Sequence, residues 1–128
     1  MVDDDTEDCW LANEAFAESG AKVAFSSVMD GIELMDYLSE HSRSEAKRLP
    51  DLILLDLSMP LKDGLKALIE IKSDPALQHI PIVILTTSAD QEEADATMKA
   101  GAESFITKPA SSDDWVEMMR SLAESWLR

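Results

Sequence analysis

The chain has 128 residues, 45% of them apolar, and a formal net charge of -15 from 26 acids against 11 bases. That composition fits one compact domain with a real core, and it excludes the basic footprint that nucleic-acid binding needs, as well as attraction to anionic membrane surfaces. Cys9 stands alone, no apolar run approaches the ~20 residues of a membrane span, and the Met-Val-Asp-Asp-Asp start has no signal-peptide pattern, so a cytoplasmic protein in a reducing compartment is expected.

Strand and helix signals alternate along the chain, which is the pattern of an α/β domain with a parallel sheet. Thr6 to Ser19 reads as a helix with Leu11, Ala15 and Phe16 on one face and Gly20 at its stop. Cys9 and Trp10 open that helix and need no function. Ala21 to Ser26 is a short strand, and Asp30 or Gly31 opens a second helix with Ile32, Leu34, Met35 and Leu38 as its apolar stripe. His41 to Leu49 reads as a polar connector, longer than usual. Within Asp51 to Asp56 the run Leu52-Ile53-Leu54-Leu55 reads as a strand buried on both faces. A Pro60-containing loop leads to a helix from Asp63 to Ser73 carrying Leu65, Leu68 and Ile69. Ile82-Val83-Ile84-Leu85 is a further buried strand ending at Thr86-Thr87, and Gln91 to Ala100 a weakly amphipathic helix closed by Gly101. Ser104 to Thr107 is the last strand, and Lys108-Pro109 after it is a candidate cis peptide. Asp113 to Leu127 is the closing helix, entered through Ser111-Ser112 with Asp114 as a capping-box match.

The acids Asp3-Asp4-Asp5 sit almost at the start. If Asp3-Asp4 end a strand, only Met1 and Val2 remain of it, whereas strands typically run about 5–6 residues. Several apolar residues are therefore expected to precede Met1 in the native chain.

Four strand ends carry polar groups: Asp3-Asp4, Asp56, Thr86 and Lys108. In an open α/β sheet such ends lie along one edge, where ligands bind. Acids gathered there repel one another unless a cation is present. Magnesium suits them, because it takes oxygen from one or two carboxylates and keeps several waters. Asp56 is then placed as a carboxylate nucleophile toward a phosphoryl group. Thr86 could donate its hydroxyl to a phosphoryl oxygen, and Lys108 could pair with Asp56 and then with the phosphate.

The ordered pattern resembles the receiver domain of two-component response regulators over essentially the whole chain. Its stretches are Val-Asp-Asp-Asp at 2–5, Pro-Asp-Leu-Ile-Leu-Leu-Asp-Leu-Ser-Met-Pro at 50–60, Asp63-Gly64, Ile-Pro-Ile-Val-Ile-Leu-Thr-Thr-Ser at 80–88, Gly101-Ala102, and Phe-Ile-Thr-Lys-Pro at 105–109. The resemblance implies a single domain over 1–128 of the flavodoxin-like kind, a doubly wound five-stranded parallel sheet in the order 2-1-3-4-5 with five helices. It also implies phosphotransfer from a histidine kinase to Asp56 with Mg2+. Asp4 would ligate the metal directly, Asp3 mainly through water, and Asp56 and the Ser58 carbonyl would complete the protein ligands. Thr86 matches the switch hydroxyl, Phe105 the switch aromatic and Lys108 the family's lysine. Phe105 stands where Tyr is frequent, and Thr87 is bulkier than the small residue often found after the switch threonine. Asp30 to Leu38, Lys72 to Leu77 and Glu124 to Leu127 are similar to stand-alone regulators that partner bacterial phytochrome-type kinases.

Each residue also has a plainer reading. Asp3-Asp4-Asp5 alone could be a solvated acid run, Asp56 a strand-end cap, Thr86-Thr87-Ser88 an ordinary turn, Lys108 a surface lysine and Phe105 a packed strand aromatic. His41 and His79 have no second His or Cys nearby and are not read as metal ligands or phosphodonors. On the closing helix, Trp115, Val116, Met119, Leu122, Ala123 and Trp126 form one wide apolar face beside Met118 and Leu127, mostly core. An exposed remainder would suit a partner or a homodimer through the last two helices and strands. The leading reading is a phosphorylation-dependent signalling switch that catalyses its own phosphorylation and slow hydrolysis, with output through protein contact. A receiver-like adaptor working without phosphorylation competes with it. An aspartyl-nucleophile phosphohydrolase is the third reading, disfavoured because Ser58 stands where such enzymes of the haloacid-dehalogenase type place a second acid.

Overall fold

The computed structural model describes residues 1–3, 5–20, 25–43, 49–56, 64–87 and 91–126. In chain order these form α1 (Thr6–Glu18), α2 (Gly31–Arg43), β1 (Ile53–Leu55), α3 (Gly64–Ser73), β2 (Ile82–Thr86), α4 (Gln91–Lys99), β3 (Ser104–Thr107) and α5 (Ser112–Trp126). The three strands are parallel in the order β1-β2-β3, with Leu54 opposite Val83 and Ile84 opposite Phe105. Beyond β1, among the described residues, the sheet continues as single parallel bridges, Val2 with Leu55 on one side and with Val28 on the other. The expected five-stranded sheet is therefore three-stranded among the described residues.

Strand alternation divides the core into two layers. Ile53, Leu55, Ile82 and Ile84 point to one face, where Leu34 and Leu38 of α2 and Ala67, Leu68 and Ile71 of α3 pack on them. Leu54, Val83 and Leu85 point to the other, against Ala12, Ala15 and Phe16 of α1 and Trp115, Met119 and Leu122 of α5. All five residues of β2 are buried, as the unbroken apolar run requires. Burying each large aliphatic side chain contributes roughly 1.5–3 kcal/mol, more than the ~1 kcal/mol range of intrinsic strand preference. Burial on both faces thus fixes β2 at the centre of the described sheet.

Helix ends follow local chemistry. Asp5 caps α1, its side chain accepting from the Glu7 and Asp8 N–H groups. Asp30 caps α2 through the Glu33 N–H at 2.9 Å, while the Glu33 carboxylate accepts from Met29 N–H at 2.6 Å. Ser111 accepts from Asp114 N–H at 3.2 Å before α5, the expected cap. Gly20 and Gly101 have positive φ after α1 and α4, the stop positions read from the sequence.

Several expectations are corrected. His41 belongs to α2, because the helix runs on to Arg43 and the imidazole stacks on Tyr37 one turn earlier, with centroids 3.9 Å apart. The strand expected over 51–56 is regular only at 53–55. No cis peptide occurs among the described residues, so Lys108-Pro109 is trans. The strand expected at 21–26 falls largely on residues 21–24, outside the described set, as do Pro60, Asp63 and Leu127.

Candidate functional site

Backbone pairing assembles one end of the sheet from distant parts of the chain. Val2 N–H donates to Leu54 O at 2.7 Å and Asp56 N–H to Val2 O at 3.0 Å. Asp3 N–H donates to Val28 O at 3.0 Å. Asp3 and Asp56 therefore leave neighbouring, parallel segments side by side. From the other direction, Lys108 N–H donates to Thr86 O at 2.7 Å, which ties the end of β3 to the end of β2.

The side chains meet at Lys108. Its Nζ lies 2.6 Å from Asp3 Oδ2, 2.7 Å from Asp8 Oδ2 and 3.3 Å from Asp56 Oδ2. An ammonium has three donors, and three carboxylates face them here. Asp3 has no exposed side-chain surface and Lys108 only 6%. Charges this deep are costly to desolvate and persist only when paired and hydrogen-bonded.

The electrostatics follow from that geometry. Burial of Asp3 is the largest influence on its carboxyl and raises the pKa from an ordinary 3.8 to about 6, although Lys108 and the Asp5 N–H both hold it down. Burial also works against the Lys108 charge, yet hydrogen bonds to Asp3 and Asp8 and the fields of Asp3 and Asp56 outweigh it, raising the lysine above its usual range. The directions are compatible, because Lys108 sees several anions whereas Asp3 shares a single cation and faces a second acid. Cys9, buried one turn into α1, donates its thiol to Asp3 O at 3.8 Å, and burial raises its pKa. A raised pKa leaves less of the reactive thiolate at neutral pH.

Of the sequence-predicted residues, Asp3, Asp56 and Lys108 are brought into direct contact. Thr86 is fully buried at the end of β2, beside the segment carrying Lys108. Phe105 is half-buried and pairs in register with Ile84, whereas Thr86 pairs with Thr107. Phe105 and Thr86 thus lie on one sheet face two positions apart. Asp4 and Ser58, the other expected metal ligands, lie outside the described residues. Asp3 and Asp56 supply the oxygen-only donors that Mg2+ prefers, so the residues present fit such an ion. Among the described residues, however, no group of three His, Cys, Asp or Glu side chains is arranged to hold a metal.

Sequence reasoning missed Asp8. It stands in the first turn of α1, and nothing in an acidic run marks one acid as the partner of a lysine 100 residues away. The available signal was positional, since a helix capped at Asp5 keeps its first turn close in sequence to the Asp3 strand end.

The family described as response regulator receiver domain matches residues 1–120. Response regulator Rcp1 of Synechocystis sp. (strain ATCC 27184 / PCC 6803 / Kazusa) is 33% identical over 127 residues, covering 99% of this chain and 86% of the relative. The crystal structure of the phosphorylated cyanobacterial phytochrome response regulator RcpA matches with a TM-score of 0.87 at 39% identity, over 98% of this chain and 90% of that one. The crystal structure of the Mn(2+)-bound form of Rcp1 matches with a TM-score of 0.82 at 32% identity, over 99% and 91%. No helix among the described residues is long and apolar enough to cross a membrane. With its flavodoxin-like layers and the Asp3–Asp56–Lys108 cluster at the sheet edge, the chain belongs to the receiver domains of two-component response regulators.

Proposed function

We propose that this domain is a phosphoacceptor switch that takes a phosphoryl group on Asp56 from a histidine kinase. The observation carrying this reading is the convergence of Asp3, Asp56 and Lys108 on one sheet edge, with the Lys108 ammonium 3.3 Å from Asp56 Oδ2. A carboxylate oxygen of Asp56 attacks phosphorus, the new O–P bond forms as the N–P bond of phosphohistidine breaks, and the imidazole leaves with the electron pair. Lys108 compensates charge on the phosphoryl oxygens, and the Thr86 hydroxyl donates to one of them. Asp3, Asp56, Asp4 and the Ser58 carbonyl would hold Mg2+, which when bound neutralises charge on the transferring group. The Mn(2+)-bound form of the similar regulator Rcp1 supports divalent-ion binding. The domain is not a turnover enzyme: it catalyses only its own phosphorylation and slow hydrolysis.

The kinase is of the phytochrome type, a reading supported by the likeness to a phytochrome response regulator, and the setting is cytoplasmic. The bridges of Val2 to Val28 and to Leu55 support the strand order 2-1-3-4-5, with the first segment inside the sheet. Phosphorylation draws the Thr86 hydroxyl toward the phosphoryl group, Phe105 follows on the same sheet face, and the surface of α4, β3 and α5 changes for a partner or a second copy.

Intact-protein mass after incubation with acetyl phosphate, with and without Mg2+, tests the reading. A one-phosphate increment that needs both Mg2+ and Asp56, and is lost in Asp56→Asn, is expected. No increment under any condition would replace the switch with a phosphorylation-independent adaptor.

A further inference from the structure

Asp8 has no part in the chemistry just described, yet it makes one of the two short contacts of the Lys108 ammonium. Lys108 Nζ is 2.7 Å from Asp8 Oδ2, close to its 2.6 Å contact with Asp3 and well inside its 3.3 Å approach to Asp56. Asp8 is itself rigidly mounted. Its backbone N–H donates to the capping Asp5 carboxylate at 3.2 Å, and the neighbouring Cys9 N–H donates to Asp5 O at 3.1 Å. Asp5 N–H in turn donates to Asp3 Oδ1 at 2.9 Å. One turn of helix therefore fixes two of the lysine's three anions relative to each other.

We propose that Asp8 is a positioning residue for phosphotransfer, holding the Lys108 ammonium on the α1 side of the pocket so that Asp56 stays available as nucleophile. This rests on the receiver reading above. With Asp8 intact, the two shortest bonds draw the ammonium toward α1 and leave Asp56 the longest of the three. Without Asp8, the ammonium is left to Asp3 and Asp56. If it settles on Asp56, it neutralises the attacking oxygen; if it follows Asp3, it leaves the position from which it meets the phosphoryl group. Both displacements slow transfer. Simple charge removal acts the other way, since one fewer carboxylate repels an anionic phosphodonor less, so a slowing isolates the positioning role.

The test compares full-length wild type, Asp8→Asn and Glu7→Gln. Asn has nearly the shape of Asp and sits at a partly exposed site, so the fold is retained, and a thermal unfolding trace checks this. Glu7→Gln removes an exposed first-turn acid that has no contact with Lys108, and so controls for helix and charge effects. Labelling by acetyl phosphate with Mg2+ is followed by intact mass, and the Lys108 ammonium is followed by its nitrogen-15 and proton resonance. Asp8→Asn is expected to slow labelling about tenfold, within the range that displaced catalytic groups cost, and to shift the Lys108 resonance or broaden it by faster exchange. Glu7→Gln should move neither. Labelling of Asp8→Asn at the wild-type rate or faster, or slowed labelling with an unchanged Lys108 resonance, overturns the inference alone. A wild type that takes no phosphate overturns the receiver reading and this inference together.

Discussion

Asp3 is the most deeply buried of the three acids around Lys108, and its carboxylate must share that ammonium with Asp8 and Asp56. Its pKa is raised on folding, from 3.8 to about 6, so between those values the folded protein binds the proton more tightly than the unfolded chain. Stability from this group therefore falls as pH rises through that window, opposite to an ordinary salt-bridged aspartate. At about 1.4 kcal/mol per unit the cost above pH 6 is up to ~3 kcal/mol. In metal-free buffer, the stability difference between Asp3→Asn and wild type should shift in favour of Asn by that order between pH 4.5 and pH 7.5. Urea denaturation at the two pH values measures it. A difference that is flat with pH would mean that Lys108 fully compensates the burial of Asp3. Lys108 adds no slope here, since its raised pKa keeps it charged across the whole window.

Elements were legible where burial dictates sequence, and illegible where one polar side chain or one long-range pairing decides. The run Leu52 to Leu55 and the run Ile82 to Leu85 announced two buried strands, because a strand covered on both faces has no polar position to spare. The end of α2 was not legible: His41-Ser42-Arg43 looks like a connector, yet the helix runs on to Arg43, with the Tyr37–His41 stack and a 2.8 Å contact between His41 Nδ1 and Tyr37 O along it. The site divided the same way. Asp3, Asp56 and Lys108 stand where strands end, and strand ends can be read; Asp8 owes its role to a turn of α1 meeting a lysine beyond β3. Gly101 shows an element boundary with a second duty. Its φ of +109° suits glycine alone, and a Cβ there would lie 3.0 Å from Lys72 Cγ. Lys72 uses that space to reach the Ile80 and Gln78 carbonyls at 2.8 Å and 3.1 Å, joining the end of α3 to the turn before β2. Gly101→Ala should therefore cost roughly 1–3 kcal/mol in backbone strain, plus the displacement of Lys72. Comparison with Gly101→Ala in a Lys72→Ala background separates the two, since only the strain survives there. An unchanged denaturation midpoint in the single variant would show that the loop yields freely.

Over the whole molecule, a net charge of -15 means that the folded domain repels itself. Much of the acid is exposed, as at Glu92 and Glu93 of α4 and Asp113 and Asp114 of α5, where favourable placement at helix starts offsets only ~0.3–1 kcal/mol each. Two distinct stabilising effects of added cations should follow, and they can be told apart. Screening acts on the diffuse charge: the Debye length shrinks from about 10 Å at 0.1 M to about 3 Å at 1 M, so the thermal midpoint should climb steadily with NaCl in every variant that folds. Binding at the sheet edge acts on Asp3 and Asp56 and saturates. A ligand at a hundred times its dissociation constant adds about 2.7 kcal/mol, which for a domain of this size is roughly 10 °C. At matched ionic strength, MgCl2 should therefore exceed NaCl by an increment of that order in wild type, reaching a plateau. In Asp56→Asn the plateau should largely vanish while the NaCl slope remains. Equal midpoints for the two salts in wild type would mean that the acids of this domain see magnesium only as ionic atmosphere. Lys108 would then be the cation that faces the buried pair Asp3 and Asp56, and the proposed phosphotransfer would lack the divalent ion on which it depends.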